Sequence, residues 1–251
     1  MKIPRARFFI AMPSSTPKLR TLLLVALVIA FGPAGAAQDK AKDFKDIDLE
    51  KHGIPKVEAK KDPKTGFIVG GKNATAEILK LTEINGLSIA RLESEMRPKK
   101  LSNAGFLGPD EKLVEVMAAD NQYVVEELGL THQELARHLH AMGVIAKMLM
   151  SKGANPPPVE FVYHGRRFKA LRIDTRGIQP SPFEDDTKSG SNVEVENLDN
   201  GKKFRYGLLV PYMIERYGFY EGKGTPYRLD PRVALEVFDF LAVKTKKPGG
   251  P

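Results

Sequence analysis

Three consecutive prolines at positions 156–158 divide this chain into two parts with different periodicity. Proline lacks the backbone N–H that a helix interior requires, so no helix continues through this segment. Before the prolines, apolar residues recur at helical spacing, whereas strand-like runs separated by turn residues follow them. The sequence therefore predicts helices first and strands later, which is an α+β arrangement.

The helical part is expected to cover residues 76–152, and its best-marked helix follows a capping box formed by Thr131 and Glu134. An apolar stripe with helical spacing continues from this capping box: Leu135, Leu139, Met142, Ala146 and Leu149. A preceding helix is predicted to begin at Pro109 and to end at Gly129. Both ends are marked, so two successive helices are expected before the prolines.

Residues 76–96 combine two signals that disagree. The spacing of Ile78, Leu81, Ile89 and Leu92 suits a helix, while the dipeptide Asn85-Gly86 suits a hairpin turn. We favour a helix that is broken near Gly86, and the hairpin stays open as the alternative.

The β-rich part, residues 159–210, contains four strand-like runs: Val159 to Tyr163, Arg167 to Ile173, Val193 to Leu198 and Phe204 to Leu209. Turn dipeptides at His164-Gly165 and Asn200-Gly201 join these runs into two hairpins. The intervening residues, Thr175 to Asn192, predict a long and mobile acidic loop. Short helices should occupy residues 211–243, the last one opened by Asp230-Pro231.

The predicted fold is thus a helical N-terminal half, then a small antiparallel sheet of two hairpins, then short C-terminal helices. A single α+β domain over residues 66–245 would hold all of these elements. The lysine-rich and acidic residues 37–65 predict a disordered tether, with a short surface helix around 44–51 as the alternative. Residues 246–251 predict a disordered tail.

Residues 1–36 have the layout of a secretory signal peptide. A basic, acid-free start precedes the apolar run Leu22 to Phe31, and the small residues Ala34-Gly35-Ala36 follow it. Ten residues at a rise of about 1.5 Å reach only about half of a bilayer core, which disfavours an anchor. The sequence predicts export to the periplasm or the medium after cleavage near Ala36, with no transmembrane span in the mature chain.

Charge and cysteine content exclude several classes of function. The net charge is +8, but the leader holds five basic and no acidic residues, so the mature chain carries 8 − 5 = +3. Nucleic acid is therefore an unlikely partner. The chain has no cysteine, which excludes disulfides, thiolate nucleophiles and cysteine-ligated zinc. No motif calls for a cofactor, and the oligomeric state is left open.

The three histidines of the capped helix do not predict a metal site. His132, His138 and His140 are separated by 6 and 2 residues, whereas ligands on one helix face need spacings of three or four. Their side chains therefore point in different directions around the helix.

An aromatic and basic surface is the sequence's best candidate for binding. Five of the seven tyrosines lie between positions 206 and 227, near an arginine, and two more arginines lie at the first hairpin. The candidate residues are Arg166, Arg167, Tyr206, Tyr212, Arg216, Tyr217, Tyr220 and Tyr227. Tyrosine and arginine are enriched at interfaces, so these residues predict contact with a protein, a glycan or an anionic ligand. Packing in the core is the alternative role for the tyrosines.

Two functions from different classes follow. No local catalytic motif is present, which favours a non-enzymatic exported binding module. The alternative is an exported hydrolase whose site is assembled from distant residues, because catalytic triads are defined by geometry and not by order. His164 is then the candidate general base, with Asp174, Asp185 or Asp186 as the carboxylate that orients it.

Overall fold

A five-stranded mixed sheet is the centre of the fold in a computed structural model that describes residues 41–153 and 156–241. The described residues belong to one compact unit. The predicted signal peptide (1–36) and the predicted tail (246–251) lie outside the described residues. Within the described ranges, no helix is both long and apolar enough to cross a membrane.

The strands are β1 Lys42–Phe44, β2 Lys60–Lys61, β3 Ile68–Val69, β4 Glu83–Ile84, β5 Leu87–Ser88, β6 Val159–Tyr163, β7 Arg166–Pro180, β8 Lys188–Asn197 and β9 Lys203–Gly207. The α-helices are α1 Thr75–Ile78, α2 Ile89–Met96, α3 Leu113–Asn121, α4 His132–Leu149, α5 Val210–Tyr217 and α6 Pro231–Val237. A short 3-10 helix spans Glu50–His52, and α3 continues into a π-helical segment, Gln122–Glu127.

The sheet has the strand order β1-β6-β7-β8-β9. The strands from β6 to β9 pair antiparallel, and β1 adds to β6 in parallel, which makes the sheet mixed. The predicted arrangement, a helical half followed by a small sheet of two hairpins, is therefore wrong. Small β-elements lie among the N-terminal helices, and all four C-terminal strands join one sheet with a strand from the N-terminal segment.

Residues 41–65 take part in this structure, where the sequence predicts a disordered tether. Strand β1 pairs with β6, and the amide of His164 donates to the carbonyl of Phe44 at 3.2 Å. Phe44 and Leu49 bury their side chains among other apolar residues. Two large side chains separated by charged residues thus hold the segment against the domain, although they form no regular period.

The predicted acidic loop, Thr175 to Asn192, is shortened by strand pairing. Strands β7 and β8 extend into it from both sides and leave only residues 181–187 as a connection. The register shifts between Asp174 and Gln179, where a Cβ on Gly190 would lie 2.0 Å from the carbonyl oxygen of Gly177. Glycine at these two positions therefore permits close pairing of β7 and β8, in a segment whose composition favours a loop.

Both signals in residues 76–96 have structural counterparts. Asn85 and Gly86 have φ values of 53° and 76°, as a two-residue hairpin turn requires, and they join β4 to β5. Ser88 then caps α2 by accepting from the amide of Arg91 at 3.3 Å. The preference for a broken helix across this segment is wrong, because the turn and a following short helix fit together.

The predicted helix start at Pro109 is also wrong, because α3 begins four residues later. Arg97 donates to the carbonyl of Glu111 at 2.7 Å and to that of Gly108, which holds the intervening residues in a turn. The carboxylate of Glu93 accepts from the amide of Leu113 at 2.8 Å and so begins the helix there. Glu93 lies in α2 and Arg97 at its end, so the residues around Pro109 give no indication of these two interactions.

The strongest local signals are confirmed. Thr131 and Glu134 form the capping box at the start of α4, and Asp230 caps α6 with Pro231 in its first turn. Helix α4 contacts β7, β8 and α5, so its apolar stripe closes the core beside the sheet.

A closed polar network crosses the base of α4. The side-chain amide of Asn121 donates to Thr75 Oγ1 at 2.9 Å, and Asn121 Oδ1 is 3.1 Å from His132 Nε2. His132 Nδ1 lies 2.9 Å from the hydroxyl of Tyr220. The neutral histidine donates through Nε2 and accepts through Nδ1, so each ring nitrogen has a partner. Burial lowers the pKa of His132 to about 4, which keeps the ring neutral near neutral pH.

Candidate anion-binding site

An N-terminal arm, defined as residues 46–57, crosses α4 and α5 near the middle of α4. Gln133 donates to the carbonyl of Val57 at 3.1 Å. Gly53, with a φ of 79°, ends the short 3-10 helix within the arm. The arm thereby leaves one hollow on each side of Ile54, which lines both.

A histidine–glutamate pair lies between these two hollows. His140 Nε2 on α4 and Glu215 Oε2 on α5 are 3.4 Å apart, and their side chains are 2% and 7% exposed. His140 Nε2 and Glu215 Oε1 make no hydrogen bond with any described residue. The ring of Tyr212 meets the His140 ring edge to face at 4.5 Å. Buried polar atoms are rarely left without hydrogen bonds, so this pair is unusual within the fold.

The hollow on the His140 side is strongly basic and has a volume of about 400 Å³. The basic side chains that line it come from the arm, from α4 and from the β7–β8 pair: His52, His140, Lys147, Arg172 and Lys188. Ser189 and Tyr212 add hydroxyl groups, and the described residues that line this hollow include no aspartate or glutamate. We call it the basic hollow.

The hollow on the other side of Ile54 has the opposite character. It has a volume of about 470 Å³ and is lined by four carboxylates, one lysine and one arginine: Asp46, Asp48, Glu50, Glu215, Lys56 and Arg137. Glu215 lies 3.4 Å from His140, and the other three carboxylates of this hollow come from the arm itself. Carboxylates thus outnumber cations on this side of Ile54.

Two lysines of the basic hollow lie outside the ion pairs found among the described residues. Lys147 and Lys188 are both exposed, and the charge of Lys147 contributes to lowering the pKa of Asp174. Arg172 is different, because its Nε donates to Asp174 at 2.8 Å and its Nη2 to Ser191 at 3.2 Å. Hydrogen bonds from Ser191 and Arg172 lower the pKa of Asp174, which keeps that carboxylate ionised.

Three of the five predicted binding tyrosines lie in the core instead. Tyr206 donates to the carbonyl of Leu139 at 2.6 Å, and Tyr220 belongs to the closed polar network. Tyr217 stacks on Phe183 with ring centres 3.9 Å apart. Burial raises the pKa of all three hydroxyls, which therefore stay neutral.

The other two tyrosines reach the surface. Tyr212 lines the basic hollow, and Tyr227 is 43% exposed. The tyrosine-rich segment therefore serves mainly in packing, with one aromatic ring at the basic hollow.

The three predicted binding arginines are each paired with a carboxylate. Arg166 binds Asp239 at 2.9 Å, Arg167 binds Asp199 at 2.7 Å, and Arg216 binds Asp185 at 2.8 Å. Burial alone would raise the pKa of Asp185, but the bonds and charge of Arg216 outweigh burial and lower it. The three predicted binding arginines are thus largely neutralised by neighbouring carboxylates.

The candidate hydrolase residues do not come together. His164 lies in the β6–β7 turn, where its ring stacks on Phe240 with centres 4.8 Å apart. Asp174 lies eight residues along β7 from Arg166, which corresponds to about 26 Å of strand. Asp185 binds the α5 side chains, and Asp186 is exposed in the 181–187 connection. Asp174 and Asp185 thus bind arginine, serine and tyrosine side chains, and the catalytic role of these residues stays a prediction.

Sequence reasoning missed most of the basic hollow. His140 and Lys147 are seven residues apart on α4, so about 20° separates them around the helix, and this spacing is a usable signal. His52 lies in the predicted tether and Lys188 in the predicted loop, where no local pattern indicates a site. Only the tertiary contacts of the arm and of β8 bring these residues to α4.

No family model, no curated protein and no solved structure matches the chain.

Proposed function

We propose that this protein is a non-enzymatic binding module that captures an anionic ligand in the basic hollow. The observation that carries the proposal is the convergence of five basic side chains on one cavity whose described lining residues include no carboxylate. Such a concave site with few, similar charged groups is typical of ligand recognition. A phosphate, a sulfate or a carboxylate group is the matching ligand chemistry.

Burial strengthens the attraction at this site. The guanidinium of Arg172, which is charged at any physiological pH, is only 19% exposed. Charges in such surroundings interact more strongly than charges in bulk water, because the effective dielectric constant is lower. The lysines at the rim add flexible point charges, and the guanidinium of Arg172 adds a planar fork that suits an anion's oxygens.

The geometry favours binding over hydrolysis. A nucleophile needs a base within about 3 Å, and no hydrogen bond joins His140 to a serine or threonine hydroxyl in the described part of the chain. His140 instead faces the carboxylate of Glu215. The length of strand between the His164 turn and Asp174 does not support the alternative function, a hydrolase with His164 as its general base.

The proposal includes export, and this element depends on the leader sequence alone. A basic start, a ten-residue apolar run and a small-residue cut site precede the described residues. We expect the mature chain to begin near Ala37 outside the cytoplasm. N-terminal sequencing of protein from the extracytoplasmic fraction checks this, and an intact Met1 on a membrane-bound product contradicts it.

Binding is tested by titrating the ¹⁵N-labelled protein, purified after expression of the full chain, with sodium phosphate and then with sodium sulfate. We expect saturable amide shifts that cluster at His52, His140, Lys147 and Lys188. Sodium chloride at equal ionic strength is the control and should leave those amides unshifted. The absence of saturation, or shifts that cluster elsewhere, contradicts the proposal.

A further inference from the structure

A second cavity adjoins the basic hollow near the start of β8. Its volume is about 340 Å³, and Ser189 and Leu208 line both cavities. A ligand longer than one ionic group therefore reaches from one cavity into the other without leaving the surface. We call the second cavity the hydroxyl cleft.

The lining of the hydroxyl cleft is polar but almost free of charge. Neutral hydroxyl and amide side chains dominate it: Ser102, Asn103, Thr175, Gln179, Ser189, Ser191 and Asn192. Gly177, Gly190 and Gly207 add stretches of backbone without side chains, and the described side chains that line the cleft include no lysine or arginine. Such a set of short donors and acceptors suits a ligand that is itself rich in neutral hydroxyl groups.

Glu221 is the one acidic residue of the hydroxyl cleft, and it too behaves as a neutral group. Its side chain lies deep in the lining, with the residue 5% exposed, and its Oε2 accepts from the Thr225 hydroxyl at 3.2 Å. Burial raises the pKa of Glu221 to about 8, against the weaker lowering effects of Thr225 and of Arg228. The protonated carboxyl both donates and accepts hydrogen bonds near neutral pH and does not repel an anionic ligand.

An exposed aromatic ring completes the hydroxyl cleft. Tyr227 is 43% exposed and lines this cavity. An amphipathic ring of this kind packs against the apolar face of a sugar while its hydroxyl stays in water.

From this juxtaposition we infer that the ligand is an acidic glycan, with an ionic group in the basic hollow and neighbouring sugar units in the hydroxyl cleft. This inference rests on the proposed anion binding and specifies its ligand class. The basic hollow alone suits any small anion, whereas the adjoining neutral cleft with its tyrosine adds selectivity for a polyhydroxylated chain. Uronate and sulfated sugars share this chemistry.

The test is calorimetric titration of the purified protein with three probe groups. The first contains hexasaccharides of galacturonate and of heparin, the second contains galacturonate and inorganic phosphate, and the third is neutral maltohexaose. We expect at least one acidic hexasaccharide to bind about tenfold more tightly than phosphate, and maltohexaose to bind more weakly than either. The Tyr227→Ala variant should lose about fivefold to tenfold in hexasaccharide affinity and none in phosphate affinity.

Matched variants separate the possible failures. Tyr227→Phe keeps the ring and should restore most of the hexasaccharide affinity that Tyr227→Ala loses. Tyr123→Ala removes a tyrosine ring that lines neither cavity and should keep the wild-type affinity. If phosphate binds but neither acidic hexasaccharide binds more tightly, or if Tyr227→Ala weakens both equally, the glycan inference is wrong and anion binding stands. If no probe with a negative charge binds, the proposed function itself fails.

Discussion

Helix α4 carries two buried histidines eight residues apart, and the hydrogen bonding of their rings differs. His132 has a partner on each ring nitrogen, Asn121 on one and Tyr220 on the other. His140 has a carboxylate 3.4 Å from Nε2 with no hydrogen bond, and it lines a cavity that contains exposed lysines. The first histidine belongs to a closed network, and the second belongs to an open site.

The comparison shows which kind of polar group indicates function in this fold. A strongly shifted pKa marks His132, yet its bonds are all used within the protein, so its role is to hold α3, α4 and the segment after α5 together. At His140, by contrast, polar atoms remain available beside an accessible cavity. Unused hydrogen-bonding capacity, and not the size of a pKa shift, is therefore the criterion on which the proposed site rests.

The largest expected effect on stability comes from removing one partner of the buried ion pair beside the closed polar network. Arg228 Nη2 binds Asp120 Oδ1 at 2.6 Å, and the side chains are 8% and 5% exposed. The variant Arg228→Met leaves the Asp120 carboxylate buried without its partner, and we expect a loss of about 3–5 kcal/mol in the free energy of unfolding. Urea denaturation monitored by circular dichroism measures it.

An exposed ion pair supplies the control for this variant. Arg205 and Glu194 are 3.5 Å apart with side chains 49% and 46% exposed. Arg205→Met removes the same charge, and we expect a loss of no more than about 1 kcal/mol. Equal losses of unfolding free energy in the two variants would contradict the distinction between buried and exposed ion pairs.

The second effect is a pH dependence caused by His132. Its pKa is lowered by burial from 6.5 to about 4 in the folded state, so the unfolded state binds the proton first as the pH falls. The stabilisation is complete above about pH 6.5 and is lost progressively towards pH 4. We expect the unfolding free energy of the wild type, relative to His132→Asn, to fall by about 3 kcal/mol over this range.

Urea denaturation of both proteins at pH 7, 6, 5 and 4 measures this difference. Using the difference between two proteins cancels the contributions of other groups, including Glu221, whose raised pKa acts in the opposite direction. A difference that stays constant with pH would show that the His132 ring does not titrate as described.

A smaller effect is expected at Tyr217, which the sequence predicts as a binding residue. Its hydroxyl donates to Asp185 at 3.0 Å, and its ring stays stacked on Phe183 when the hydroxyl is removed. Tyr217→Phe should therefore lower the free energy of unfolding by about 1.5 kcal/mol. Phosphate affinity should remain at the wild-type value, and a loss of affinity without a loss of stability would return Tyr217 to the binding site.

Local signals in the sequence predicted the elements that depend on neighbouring residues. The capping box of α4 and the Asp230-Pro231 start of α6 are correct, because each is formed within one turn of helix. Strand β1 was not predicted, because two of its three residues are charged and its partner, β6, lies far along the chain. The extension of β7 and β8 was missed because Gly177 and Gly190 are typical of loops, although here they permit close pairing.

The candidate site was predictable only in part. Tyr212, which the sequence predicts as a binding residue, lines the basic hollow, and its role in binding stays a prediction. The heptad spacing of His140 and Lys147 was available as a signal. His52 and Lys188 reach the basic hollow only through long-range packing. The clustering of tyrosines, in contrast, reflected core packing, since Tyr206 and Tyr220 are fully buried.

The central claim is that the open site at His140, and not the protein's overall charge, binds the anion. Calorimetry should compare phosphate binding by the double variant Lys147→Ser, Lys188→Ser with that of Lys80→Ser, Lys202→Ser, which removes the same charge from surface pairs elsewhere. We predict that the first variant loses about tenfold in affinity while the second keeps the wild-type value. An equal loss in both variants, or no loss in the first, would contradict the account.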